Sequence, residues 1–308
     1  MNKRTLYSLI VFVLLTILVS PKSRAQQDPM YSQYMFNTLP INPAYAGSRE
    51  MLSALLLGRQ QWVGFDGAPN TATFSIHSPL YKGLAGGTSI IYDTYGPVKN
   101  TTFNIDFAYH LKTGEHSKLS FGINGTANFY TVDYTHLTKQ TAMDDAYLNA
   151  VQQEWLPNVG FGLYFYAPNY YVGLSSPRII ENTYDSDSDS ESKEVRHYYA
   201  MAGYVYHLSE TFVLRPSLLV RASEGGPFNF DFNLYAIFYD KLWLGAMYRL
   251  DSAYGAAVQY QISPQVKVGY AYDMSTNELS SYHSGSHELM ISYDFNFNRT
   301  KIYNPRYF

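Results

Sequence analysis

The 308-residue chain contains no cysteine. That excludes disulfide scaffolds, thiolate metal sites, cysteine nucleophiles and a lipidated-cysteine anchor. Charge is also scarce: Asp, Glu, Lys and Arg make up 15% of residues, against about 25% in soluble proteins. The formal charge of −3 carries no basic excess, so nothing points to a nucleic-acid partner. A mean hydropathy of −0.22 is wrong for a helical membrane protein, and 46% hydrophobic residues are too many for a disordered chain. What is abundant is aromatic: 17% of positions, with 31 tyrosines.

The first segment reads as an address. Lys3 and Arg4 precede an apolar run from Leu6 to Val19, Pro21 breaks it, and Ser23-Arg24-Ala25 offers small residues at the −3 and −1 positions of a cleavage site. The run is too short to cross a bilayer as a helix, and its flanks are those of a secretory signal. Residues 1–25 are therefore expected to be a cleaved signal peptide, 26–50 a periplasmic or lumenal segment, 51–298 the folded domain and 299–308 a tail.

Beyond the signal the hydrophobic period is two. Phe228, Phe230, Phe232, Leu234, Ala236 and Phe238 alternate with Asn229, Asp231, Asn233, Tyr235, Ile237 and Tyr239, the pattern of a strand with one greasy face. Residues 101–112, 117–132 and 287–298 repeat it. Fourteen strands are predicted, near 52–60, 70–78, 84–95, 101–112, 117–132, 156–167, 170–176, 195–208, 211–222, 228–239, 241–250, 254–263, 265–274 and 287–298. Only the polar stretch 139–152 could hold a short helix. Tight connectors such as Pro168-Asn169 alternate with longer ones such as 61–69, 133–155 and 177–194. That asymmetry, with the even strand number, fits a transmembrane antiparallel β-barrel with short periplasmic turns, long outside loops and both termini in the periplasm. The ten steps from Phe228 to Phe238, tilted about 45°, span roughly 24 Å, close to the apolar band of an outer-membrane barrel. Trp62, Tyr95, Tyr134, Trp155, Tyr239 and Trp243 are expected at the lipid–water interfaces.

Two irregular segments carry a resemblance. Residues 27–48 read QDPMYSQYMFNTLPINPAYAGS, and Arg59 to Pro69 read RQQWVGFDGAP; the chain closes on Asn304-Pro305-Arg306-Tyr307-Phe308. These resemble the PorP/SprF family of the Bacteroidetes type IX secretion system. The resemblance implies an outer-membrane barrel that serves the secretion and gliding machinery. Its implied partners are the periplasmic ring proteins of that system and a large secreted surface protein with a type B C-terminal signal; it implies no catalytic residues and no cofactor. The residues assigned to partner binding are Tyr31, Gln33, Tyr34, Phe36, Asn37, Asn42, Pro43, Tyr45, Pro305, Arg306, Tyr307 and Phe308.

The first segment also has a reading of its own. Asn42-Pro43 and Ala46-Gly47 are turn formers, and the segment is aromatic and almost uncharged. A 14-strand barrel is too wide for its wall side chains alone to fill. Residues 26–50 are therefore expected to tuck into or across the lumen, the plainer alternative being a docking strip at the periplasmic mouth.

Other chemistry is weaker. Asp185, Asp187, Asp189 and Glu191 resemble half a calcium loop, but the glycine and glutamate that complete an EF-hand are Ser190 and Arg196 here, so a solvated loop is expected. His283 and His287 with Glu288 lie on a Ser/Gly loop without companion ligands. A hydrolase needs a nucleophile beside a histidine; His110, His197 and His207 supply no such constellation, with His197 and His207 expected to face lipid or loops. A passive porin is the remaining rival, with loop 133–155 as its candidate constriction.

Overall fold

A computed structural model describes residues 29–133, 135, 151–183, 193–224, 226–295 and 307. The strands are β1 Leu52–Gln60, β2 Asn70–Pro79, β3 Leu84–Tyr95, β4 Val98–Lys112, β5 Lys118–Asp133, β6 Val151–Ala167 and β7 Tyr170–Ser176. They continue with β8 (His197–Tyr204, resumed at Tyr206–His207), β9 Phe212–Ser223, β10 Asn229–Phe238, β11 Leu242–Arg249, β12 Ala253–Gln261, β13 Val266–Ser275 and β14 Ser286–Phe295. Each strand pairs antiparallel with the next, and β14 pairs back onto β1, Leu52 opposite Phe295 and Gln60 opposite His287. The sheet is a closed 14-stranded barrel, and closure leaves no unpaired edge.

Alternation along each strand decides which side chains enter the bore. On β10, Asp231, Asn233, Tyr235 and Ile237 are buried while Phe232 and Leu234 are exposed. The outer wall continues the pattern with Ile105, Phe107, Phe121, Ile123, Phe161, Leu244, Leu289 and Ile291. A belt of that size needs an apolar cover, and a closed barrel is one of the two structures that satisfy their backbone in lipid.

Two strands run longer than their hydrophobic pattern. β6 starts at Val151, five residues before its apolar alternation, and Val151–Trp155 pair with Asp133–Phe129. β4 starts at Val98, so the expected loop 96–100 shrinks to Gly96-Pro97. At 16 and 17 residues, β5 and β6 are at least roughly half as long again as a tilted strand needs to cross the hydrocarbon. The extra length lies at the end bearing the long loops, where an outer face no longer has to be apolar. β8 shows the opposite, a break at Val205. Pro216 on β9 lies opposite the gap and has no N–H to donate. On its other side the strand keeps its register with β7, the Val205 N–H donating to the Asn169 carbonyl 2.7 Å away. Residues 139–150 of the stretch considered for a short helix, Tyr134 and the acidic run 185–191 lie outside the described residues; Val151 and Gln152, the last two of that stretch, are in β6.

The interfacial expectation divides. Trp155 is exposed on the outer wall and Tyr239 in the turn after β10, whereas Trp243 is only 1% exposed and lies within the bore. Trp243 sits at an inward register position on β11, beside Ile237 on β10. Sequence position near a strand end could not distinguish the two faces.

Candidate functional site

The bore is occupied by the chain itself. From Tyr31 to Ser48 every residue except Pro40 is buried, although the segment forms no strand with the wall. It runs from the half of the barrel nearer the long loops, at Tyr31–Gln33, to the short-turn end, at Arg49 and Glu50. Residues 29–48 contain no charged side chain, which removes the main cost of entering a low-dielectric interior.

The middle of the segment is set by a turn. Asn42 caps a single 3-10 turn, Pro43–Tyr45, accepting the Ala44 N–H at 3.0 Å, while its own Nδ2 donates to the Leu163 carbonyl at 3.0 Å. The wall makes room for this turn with glycine. A Cβ on Gly122 would lie 2.1 Å from the Ala44 nitrogen, and one on Gly162 would lie 2.0 Å from Asn42 Oδ1. Gly122 and Gly162 are direct register partners on β5 and β6, so the bare patch is continuous. Below the turn, the Gly47 N–H donates to His77 Nδ1 at 3.0 Å. His110 Nε2 lies 2.8 Å from the Ala46 carbonyl, which can only accept, so Nε2 carries the proton and Nδ1 accepts from the Tyr166 hydroxyl at 3.0 Å. At the exit, Arg49 pairs with Asp294 at 2.8 Å and Glu50 with Lys118.

The other end of the segment meets a buried ion cluster. Arg59 Nη1 lies 2.7 Å from Asp273 and 3.2 Å from Glu288, and all three side chains are nearly inaccessible. Glu288 also accepts the backbone N–H groups of Ser32 and Gln33, each at 2.8 Å, one on each carboxylate oxygen. The Ser32 hydroxyl donates to Asp273 at 2.6 Å and accepts from Arg59 at 2.6 Å. A buried ion group is costly unless its remaining donors and acceptors find partners, and here the inserted segment supplies four such contacts. A second group, Arg221 and Arg249 around Asp231, lies on the wall.

The residues singled out from sequence are largely brought together. Tyr31 bonds Thr73 at 2.8 Å, Gln33 accepts from Gln259 at 2.9 Å, and Tyr34 reaches Ser217 at 3.3 Å. Asn37 accepts from Ser75 at 3.4 Å. Phe36 packs edge-on against Tyr235 and Trp243, with Arg215 and Lys267 over its ring. Tyr45 lies against His77 and Tyr164. Tyr307 sits apart, at the short-turn end, donating to Asp240 at 2.7 Å and lying against His207 and Trp243. Pro305, Arg306 and Phe308 lie outside the described residues, as does the signal region.

Asp273, His77 and the glycines Gly122 and Gly162 were not singled out by sequence reasoning, and Arg59 only as the first residue of the second motif. Their signal was an Arg, an Asp or a Gly at an inward register position, legible only once the strand phase is fixed. Glu288 was read with His283 and His287, but these separate. His283 bonds Ser275 at the end of β13, His287 bonds Tyr270 on the outer wall, and Glu288 faces the bore. His197, expected to face lipid or a loop, is buried at the start of β8. Among the described residues no group of three or more His, Asp or Glu could hold a metal ion.

Comparisons bear on the whole chain. The family model described as "Type IX secretion system membrane protein PorP/SprF" matches residues 23–293. A search of curated proteins finds no match. Among solved structures, the CymD monoaromatic hydrocarbon channel is 12% identical at a TM-score of 0.53, covering 88% of this chain and 94% of its own. The Ralstonia pickettii toluene transporter TbuX is 10% identical at a TM-score of 0.51, covering 84% and 93%. At such identity the likeness is one of fold.

Proposed function

Because the chain belongs to the PorP/SprF family of type IX secretion system membrane proteins, we propose that this integral outer-membrane barrel is a non-enzymatic component of the secretion and gliding machinery. In this reading it supports the export or surface retention of a large partner protein bearing a type B C-terminal signal. The short-turn end faces the periplasm and meets the ring proteins of the system. The long-loop end faces outward, towards the exported protein.

The observation that carries this reading is the filled bore. A passive porin needs a water-filled path. Here the lumen holds residues 29–50, pinned from Thr73 on β2 round to Glu288 on β14. A cleft between Leu39, Tyr45, His77 and Asp294 measures about 20 Å³, room for about one water. A barrel so filled acts through its two faces and its interior contacts rather than as an open sieve. The test is affinity purification of the tagged protein from outer membranes in mild detergent, with partners identified by mass spectrometry. Ring components and one very large surface protein are expected; recovery of the barrel alone, at native expression, would count against the role.

A further inference from the structure

The inserted segment has two parts held by different chemistry. Asn42–Glu50 is a root, wedged over the glycine patch, ion-paired through Arg49 and Glu50 and continuous with β1. Residues 29–41 are an arm. Within them there is no charged side chain, and their wall contacts are those of a bound peptide: two adjacent N–H groups on Glu288, a serine between Arg59 and Asp273, and tyrosine and phenylalanine rings on the wall of the bore. Without the arm the receptor still keeps a cation between its two carboxylates, since Arg59 faces both Asp273 and Glu288 directly.

We propose that the arm is a self-inserted ligand, and that the bore beneath it is a receptor for an extended, uncharged, aromatic-rich segment of a partner protein that replaces the arm. The occupant's chemistry is set by the wall. Glu288 selects a pair of free main-chain N–H groups, so proline is excluded at those two positions. The Arg215–Phe36–Lys267 and Trp243 stack selects an aromatic ring that accepts cations on its faces. Burial of the whole groove rejects a charged side chain that brings no counter-ion. The proposal rests on the secretion role, because a partner segment must reach the bore, but its test needs only the purified barrel.

That test uses the full chain in detergent and a fluorescent synthetic peptide with the sequence of residues 29–41. In cis the native arm competes with the peptide. Ser32→Pro removes one N–H to Glu288 and the hydroxyl bridging Arg59 and Asp273, so the arm loosens while the receptor is unchanged. Hydrogen bonds to charged groups of this kind correspond to about tenfold or more in affinity, and the variant is expected to bind the peptide about tenfold more tightly than the native chain. Adding Glu288→Gln abolishes the gain, and the same peptide with Tyr34→Glu does not bind. Since the chain lacks cysteine, Met35→Cys is a unique probe: maleimide labelling is slow, and faster with saturating peptide in the Ser32→Pro background. Should Ser32→Pro fail to give the compact, heat-modifiable band of a folded barrel, Tyr31→Phe, which removes only the bond to Thr73, is expected to raise binding about fivefold. Absence of peptide binding to every folded variant, or binding that leaves Met35→Cys labelling unchanged, overturns the proposal.

Discussion

At the residue scale the central feature is complementarity between a bare wall and a crowded turn. Gly122 and Gly162 face the Asn42–Ala44 turn with no room for a methyl group, whereas Gly58 on the outer wall has nothing within 4 Å of its virtual Cβ. Gly122→Ala and Gly162→Ala are each expected to destabilise the barrel by about 1–3 kcal/mol through overpacking, and Gly58→Ala by less than about 0.5 kcal/mol. Urea midpoints in detergent, followed by the loss of the folded electrophoretic band, compare the three. The ion cluster behaves differently. Arg59→Met leaves Asp273 and Glu288 buried together, and removing one partner of such a group costs about 3–5 kcal/mol; the same denaturation series reads it. The inserted residues were legible as an aromatic, uncharged, turn-rich segment. Their partners on the wall were not, because Arg59, Asp273 and Glu288 lie in separate strands and only the register of β1, β13 and β14 makes them neighbours.

At the element scale, strand number and order were readable because period-two alternation and tight turns are local signals. The ends were less so. β4 and β6 extend beyond their apolar pattern because backbone pairing alone sustains a strand above the lipid. The break in β8 follows from Pro216, a residue on a neighbouring strand, so nothing in the sequence of β8 announces it. The seam between β8 and β9 is therefore a weak point of the wall. Hydrogen exchange of the detergent-solubilised barrel is expected to exchange the amides of Tyr206 and His207 well before those of the β5–β6 ladder. Pro216→Val, which restores an N–H, is expected to slow them. Equal protection at both places would remove the seam from the account.

At the scale of the whole molecule, two faces of one sheet solve two problems. The outer face gives its apolar side chains to lipid; the inner face is polar, as barrel strands with a wet lumen are, yet the chain fills it with its own uncharged segment. The barrel class followed from alternation, connector lengths and scarcity of charge, and the family from two irregular motifs. One of those motifs, residues 27–48, supplies the arm and most of the root. The other, Arg59 to Pro69, begins with the arginine of the ion cluster. It ties the long loops together through Val63 to Gly285 and Gly67 to Gly96. The motifs thus describe a lumen and the rim above it, an assignment that spacing in the sequence could not make.

The central claim is that this lumen is closed by residues 29–50. Single-channel recording of the full chain in a planar lipid bilayer tests it most directly. A stoppered barrel gives a quiet baseline at moderate voltage, while a preparation weakened at Ser32 by proline shows intermittent conductance. Steady, large, porin-like openings from the native protein would contradict it.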